Sequence, residues 1–217
     1  MALDKGIFRK AMGQFATGVA IATTRSQGNI TGLTVNSFTS VSLDPPLVLI
    51  CVDLRSQSLP LLRESGIFAV NILTQEQEAL SNCFASASDE RTTYFCHARH
   101  HVAATGAPIL DDSLAFIDTR ITAEYPGGDH VIFIGQVEAV GYEGEVFFLS
   151  DVSREQSTLP TFVAPTQQTG SNGHSTGNSG PAEPLLYYQG SYHHISRHYE
   201  HEHPELSAIK GSQTTHE

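Results

Sequence analysis

Eleven histidines are the first residues whose type and spacing could do chemistry. His97, His100 and His101 form one group. His193, His194, His198, His201 and His203 form another, in a C-terminal stretch that also carries Glu200, Glu202 and Glu205. On a helix, His194, His198 and His201 would share a face at i, i+4 and i+7, a spacing that could ligate zinc or nickel. A solvated polar tail has the same composition and is the simpler reading. His130 stands alone after Gly127-Gly128-Asp129, where a histidine is ordinarily just exposed. Thr34-Val35-Asn36-Ser37, with Ser40 three residues on, offers hydroxyl and amide groups that could bond the edge of a heterocycle. Other catalytic signals are missing. The chain has no GxGxxG, no GxSxG and no HExxH, and the Gly13–Gly18 spacing lacks the Lys-Ser/Thr that a P-loop needs.

The elements that must position these residues read as mostly strand. A helix is predicted first, with Ile7, Phe8, Ala11, Met12 and Phe15 on one stripe, Asp4 as N-cap and Gly18 as the stop. Val19–Thr24 and Ile30–Val41 read as strands on either side of the turn signal Gly28-Asn29. Asp44-Pro45-Pro46 breaks the pattern, because neither proline can donate to a ladder. Leu47–Val52 is a continuous apolar run and predicts a strand buried on both faces. Phe68–Leu73 is another strand. Ser58–Glu64 predicts a short helix. Thr74 and Gln77 form a capping box that opens a helix carrying Ala79, Leu80, Cys83 and Phe84 on one face. Leu114–Tyr125 and Val131–Val140 flank Pro126-Gly127-Gly128-Asp129-His130 and predict a long hairpin. Val146–Leu149 and Leu185–Tyr188 complete about seven strands with no βαβ rhythm, which predicts a mainly β, antiparallel barrel with flanking helices.

Composition narrows the class. A 217-residue chain suits one domain with elaborations. The net charge of −11 disfavours nucleic acid and anionic membranes as partners, yet leaves room for a local pocket of donors around a phosphate. No stretch is long and apolar enough to span a membrane, and no signal peptide is expected. Three cysteines without a CxxC predict no disulfide framework and fit a reducing cytoplasm. Residues 150–184 are rich in Gly, Ser, Thr, Asn and Gln. They read as an excursion between two strands, either a plain linker or a lid or partner contact.

Taken in order, several stretches are similar to one family. They are Phe8–Val19, Gly32–Val48, Phe68–Leu73, Gln77–Ala85, Gly128-Asp129-His130 and Pro184–Tyr192. The chain resembles the short flavin reductases with an FMN-binding split β-barrel, the reductase components of two-component flavin-dependent monooxygenases. The resemblance runs from about residue 5 to 195. The 150–184 insertion and the His-rich polar tail at 196–217 lie outside it, so residues 1–195 are taken as the reductase-like domain.

The resemblance implies roles for particular positions. Thr34, Val35, Asn36 and Ser37 match the segment along the isoalloxazine ring, with Ser40 and Val41 as neighbouring contacts. Cys51 and Val52 match the strand end that meets the ring and ribityl chain. Ser56 and Ser58 match hydroxyls near the flavin phosphate, with Arg91 as a phosphate partner. Phe84 and Ala85 match the helix end that closes the pocket. His130 matches the histidine on the nicotinamide side, and Tyr187 and Tyr192 match aromatic positions near that substrate.

The implied activity is an NAD(P)H:flavin oxidoreductase that reduces FMN or FAD, with NADH or NADPH as hydride donor, and passes reduced flavin to a monooxygenase. The family also implies a homodimer. Hydride transfer needs stacking and alignment more than a general base, which suits the absence of a catalytic triad. Two other readings stay open. One is a flavin-binding electron carrier of the same fold that never uses nicotinamide, and the other is a metal-binding protein acting through the tail.

Overall fold

The computed structural model describes residues 3–149 and 182–195. The expected 150–184 excursion falls outside the described residues except for its last three positions. So does the 196–217 tail, and with it His198 and His201 of the expected ligand set, while His194 is described and its Nε2 lies 3.3 Å from Glu78 Oε2.

Helix α1 spans Lys5–Met12. Asp4 caps it as expected, its Oδ1 accepting the Ile7 N–H at 2.9 Å. The helix stops at Gly13, whose N–H bonds to Arg9 O, and not at Gly18. Gly18 instead belongs to the short strand β1, Thr17–Gly18. Ile7, Phe8, Met12 and Phe15 are all more than half exposed, so the predicted stripe has nothing from this chain packed over it among the described residues.

Strands β2 (Ala20–Ser26) and β3 (Asn29–Val35) form a hairpin across Gln27 and Gly28. The segment predicted as one strand over 30–41 is two. It breaks at Asn36-Ser37-Phe38 and resumes as β4, Thr39–Leu43. After the Asp44-Pro45 turn, β5 runs Pro46–Asp53. Val48, Ile50 and Val52 are buried, while Leu47, Leu49 and Cys51 are only partly covered. The apolar run is therefore an alternating strand with one fully buried face. It was expected to be buried on both faces because Leu and Cys read as core residues wherever they stand.

Helix α2 (Leu59–Ser65) ends at Gly66 in the left-handed region and turns into β6, Ile67–Ile72. The Thr74–Gln77 capping box is present and leads through a single 3₁₀ turn into α3, Glu78–Ala85. That helix buries Ser81 and Phe84, whereas Ala79 faces solvent. Helix α4 is a single turn, Asp89–Thr92. Strands β7 (His100–Val102) and β8 (Pro108–Leu110) pair as a small ribbon. The long hairpin is β9 (Ala115–Gly127) and β10 (His130–Tyr142), with β11 (Glu145–Phe148) folded back on β10. Its strands run further than expected and leave only Gly128 and Asp129 in the turn. Gly128 has φ +76°, a value glycine adopts freely. Strands β12 (Leu186–Tyr188) and β13 (Ser191–His193) form a last ribbon with β1.

The main sheet is antiparallel in the order β3-β2-β6-β9-β10-β5-β4, and that path stays open. Its two ends, β3 and β4, are consecutive in sequence and joined by only three residues. A connection that short spans roughly 14 Å at most, so the sheet must curl until its edges nearly meet. The expected barrel is therefore split along the line between β3 and β4, and its interior is filled by Val48, Ile50, Val52, Phe68, Val70, Val131 and Phe133.

One expectation from composition is overturned. Cys83 and Cys96 form a disulfide with Cα atoms 6.1 Å apart, leaving Cys51 free. The odd count concealed the pair because it is made by tertiary packing. Phe84 and Phe95 meet edge to face at 5.0 Å and bring their neighbours together. Among the described residues no helix is long and apolar enough to cross a membrane.

Candidate functional site

A cavity of about 570 Å³ opens at the split. One wall is the end of β3 with the connector after it: Leu33, Thr34, Val35, Asn36 and Ser37. Facing it are Cys51 and Asp53 at the end of β5, and Arg55, Ser56 and Gln57 in the loop that follows. The end of α3 and the next turn supply Phe84, Ala85, Ser86, Ala87 and Arg91, and His130 comes from the β9–β10 tip.

Local bonds fix these walls. Thr34 Oγ1 donates to Ser81 O at 2.6 Å and ties β3 to α3. Ser37 Oγ accepts the Cys51 N–H at 3.0 Å and donates to Cys51 O at 3.3 Å, clamping the connector to β5. The Phe84 ring lies against Gly32, where an added Cβ would come within 2.7 Å of Cε1. Only a glycine lets α3 approach β3 this closely. Asn36 is exposed and its amide bonds to no other described residue.

The charged groups divide into a rim and a floor. At the rim, Arg55 donates to both carboxylate oxygens of Asp53, and this holds Asp53 far below the usual carboxylate range. His130 Nδ1 lies 2.7 Å from Asp129 Oδ1, and that bond lowers the Asp129 pKa. An ionised carboxylate can only accept, so Nδ1 carries the proton and Nε2 is left for a ligand. The Leu54 N–H donates to Asp129 O and fastens the hairpin tip to the end of β5.

Deeper in, Arg91 is only 7% exposed, and burial lowers its pKa. Its Nη2 donates to Gln57 Oε1 at 3.0 Å and its Nη1 to Phe84 O at 3.5 Å. Its Nε is buried without a partner, and no carboxylate among the described residues pairs with the guanidinium. A buried cation left in this state is suited to an anionic ligand. A tricyclic flavin with a phosphate fits the chemistry of the donor set: a hydroxyl and amide wall, a cavity of ligand size and an uncompensated guanidinium.

Of the residues named from sequence, the structure brings together Thr34, Val35, Asn36, Ser37, Cys51, Ser56, Phe84, Ala85, Arg91 and His130. Others lie elsewhere. Val52 points into the core, since strand alternation sends Cys51 and Asp53 to the cavity. Ser58 is fully buried below Ser56, with its Oγ engaged by Thr31 and Gly32 O. Ser40 and Val41 sit on the exposed edge strand β4. Tyr187 and Tyr192 pack edge to face behind α3, in the cluster that holds the far side of Phe84. Tyr192 OH reaches Ser81 Oγ at 2.8 Å, so it supports the Thr34 wall from behind. In the His97 group, His97 pairs with Glu90 and His101 with Asp111, so these residues do not converge.

Sequence reading missed Leu33, Asp53, Arg55, Gln57, Ser86 and Ala87. Asp53 was accessible by parity from Cys51. Gln57 was not, because its partner Arg91 is 34 positions away.

A family model described as flavin reductase like domain matches residues 12–196. An NADH-dependent flavin reductase from Rhodococcus sp is 38% identical over 138 residues, covering 62% of this chain and 76% of that protein. The reductase subunit of a flavin-dependent monooxygenase from Rhodococcus jostii is 39% identical over 139 residues, covering 64% and 70%. Among solved structures, the NADH:FAD oxidoreductase of Streptomyces globisporus C-1027 with NAD and FAD fragments aligns at TM-score 0.68 and 27% identity, over 91% of this chain and 96% of that one.

Proposed function

The chain belongs to the flavin reductase like domain family, and from that premise we propose that it oxidises a reduced nicotinamide, reduces FMN or FAD, and supplies the reduced flavin to a partner monooxygenase. The observation that carries the reading is the cavity at the split. It has room for a planar ligand, a polar wall for a heterocycle edge and a buried guanidinium without a carboxylate. The names of the relatives support NADH as the donor.

A flavin held in this cavity would supply the acceptor for hydride from a reduced nicotinamide. The chain's own residues bind and orient. Thr34, Val35, Asn36 and Ser37 would line the ring edge, with Thr34 and Ser37 held by α3 and β5. Arg91 and Ser56 would hold the phosphate end. Phe84 and Ala85 close the inner side and exclude water. His130, with its Nδ1 proton committed to Asp129, offers Nε2 to the nicotinamide carboxamide at the rim. Ser40, Val41, Val52 and Ser58 act by shaping the strands and loop behind this surface, and Tyr187 and Tyr192 by backing α3.

One reductase domain over residues 1–195 carries the activity. It works as a homodimer, and the apolar stripe of α1, uncovered among the described residues, is the surface that supports pairing. Steady-state oxidation of NADH with and without free flavin tests the function. Turnover that requires FMN or FAD is expected, and no flavin-dependent loss of NADH or NADPH absorbance would refute the reading.

A further inference from the structure

Buried arginines normally meet a carboxylate, because desolvating a guanidinium is costly unless its charge is offset. Arg91 meets an amide. Gln57 Oε1 accepts from Nη2 at 3.0 Å, and both side chains line the cavity. The two residues come from different elements. Gln57 stands in the loop between β5 and α2, and Arg91 on the single turn of α4. The Arg91 Nη1 bond to Phe84 O is long, at 3.5 Å, and Nε bonds to nothing described, so Gln57 makes the one short side-chain contact that sets the guanidinium's direction.

A glutamate at position 57 could accept the same bond with the same reach. It would also neutralise the cation and add a negative charge where a phosphate must enter. An amide oxygen fixes the orientation and leaves the charge intact. We propose that Gln57 is a positioning residue that aims Arg91 at the flavin phosphate, and that its being an amide keeps this cation free to discriminate phosphorylated flavins from riboflavin. The proposal rests on the flavin reading of the cavity.

The test is equilibrium titration of FMN and of riboflavin, followed by flavin fluorescence, with the wild-type protein, Gln57→Glu and Gln57→Leu. Gln57→Glu should weaken FMN binding by roughly tenfold or more, since the phosphate must displace a charge-assisted bond. Riboflavin affinity should stay within about twofold, because it carries no phosphate to be repelled. Its melting temperature should be unchanged or higher, as the new carboxylate pairs with Arg91. Gln57→Leu removes the aim and keeps the charge, so it should weaken FMN binding by a smaller factor than Gln57→Glu. Equal losses for the two flavins in Gln57→Glu, or no loss for either, would overturn the proposal while leaving the flavin site standing. Wild-type protein that binds neither flavin would overturn the flavin reading, and the proposal with it.

Discussion

Asp129 holds His130 by a 2.7 Å contact between carboxylate and Nδ1 at the tip of the long hairpin, opposite Asp53 on β5. The backbone bond from Leu54 to Asp129 makes this tip part of the cavity rim. His130→Ala should raise the NADH KM or lower kcat by about tenfold, as loss of one aligning contact does, with flavin affinity within about twofold. Asp129→Asn should give a weaker defect of the same kind. The lowered pKa of Asp129 means its contact with His130 persists through neutral pH and is lost only as pH falls through that depressed value, below the usual aspartate range. A flavin dissociation constant that rises in step with the kinetic loss would contradict the assignment.

Gly32 matters through sterics, since its φ lies outside the left-handed region. A methyl there would sit 2.7 Å from the Phe84 ring and push α3 outward. Gly32→Ala should destabilise the protein by about 1–3 kcal/mol and weaken flavin binding together. Chemical denaturation and a flavin titration check both, and an unchanged binding constant would show that Phe84 does not close the cavity.

The Cys83–Cys96 bond encloses the segment bearing Ser86, Ala87 and Arg91. Thiol titration of the unfolded, unreduced protein should find Cys51 alone. Replacing both disulfide cysteines with serine should cost about 3 kcal/mol by the loop-closure argument. Finding every cysteine free after isolation in an oxidising buffer would contradict the bond.

Asp118 is fully buried and accepts the Thr105 N–H at 2.8 Å and the Thr105 hydroxyl. Burial raises its pKa. The folded state then binds its proton more tightly than the unfolded chain does. Stability should therefore fall as pH rises from the unfolded value through the raised folded one. Urea denaturation across mildly acidic pH should show that slope, and Asp118→Asn should flatten it. An identical slope in the variant would assign the effect elsewhere.

Local rules made much of the fold legible. Asp4, the Thr74–Gln77 box and Gly128 each mark an element end through one side chain or one φ value. What depends on distant packing was not. Nothing in Asn36-Ser37-Phe38 announces a crossing from one edge of the sheet to the other. Gln57 with Arg91, and Cys83 with Cys96, are pairings that only the assembled cavity reveals. Val52 was drawn into the candidate site by the family pattern, although strand parity alone assigns it to the core. The helix bearing the α1 stripe was legible from its spacing, but spacing does not say what meets that stripe, which stays more than half exposed among the described residues.

The central claim is that this cavity aligns a nicotinamide with a flavin so that hydride passes between them. Anaerobic mixing of the protein, stoichiometric FMN and excess NADH, followed by flavin absorbance, tests it most directly. The account predicts rapid bleaching of the yellow colour, far faster than in the protein-free mixture and slowed in His130→Ala. Flavin that binds and stays yellow, with NADH or NADPH, would contradict it.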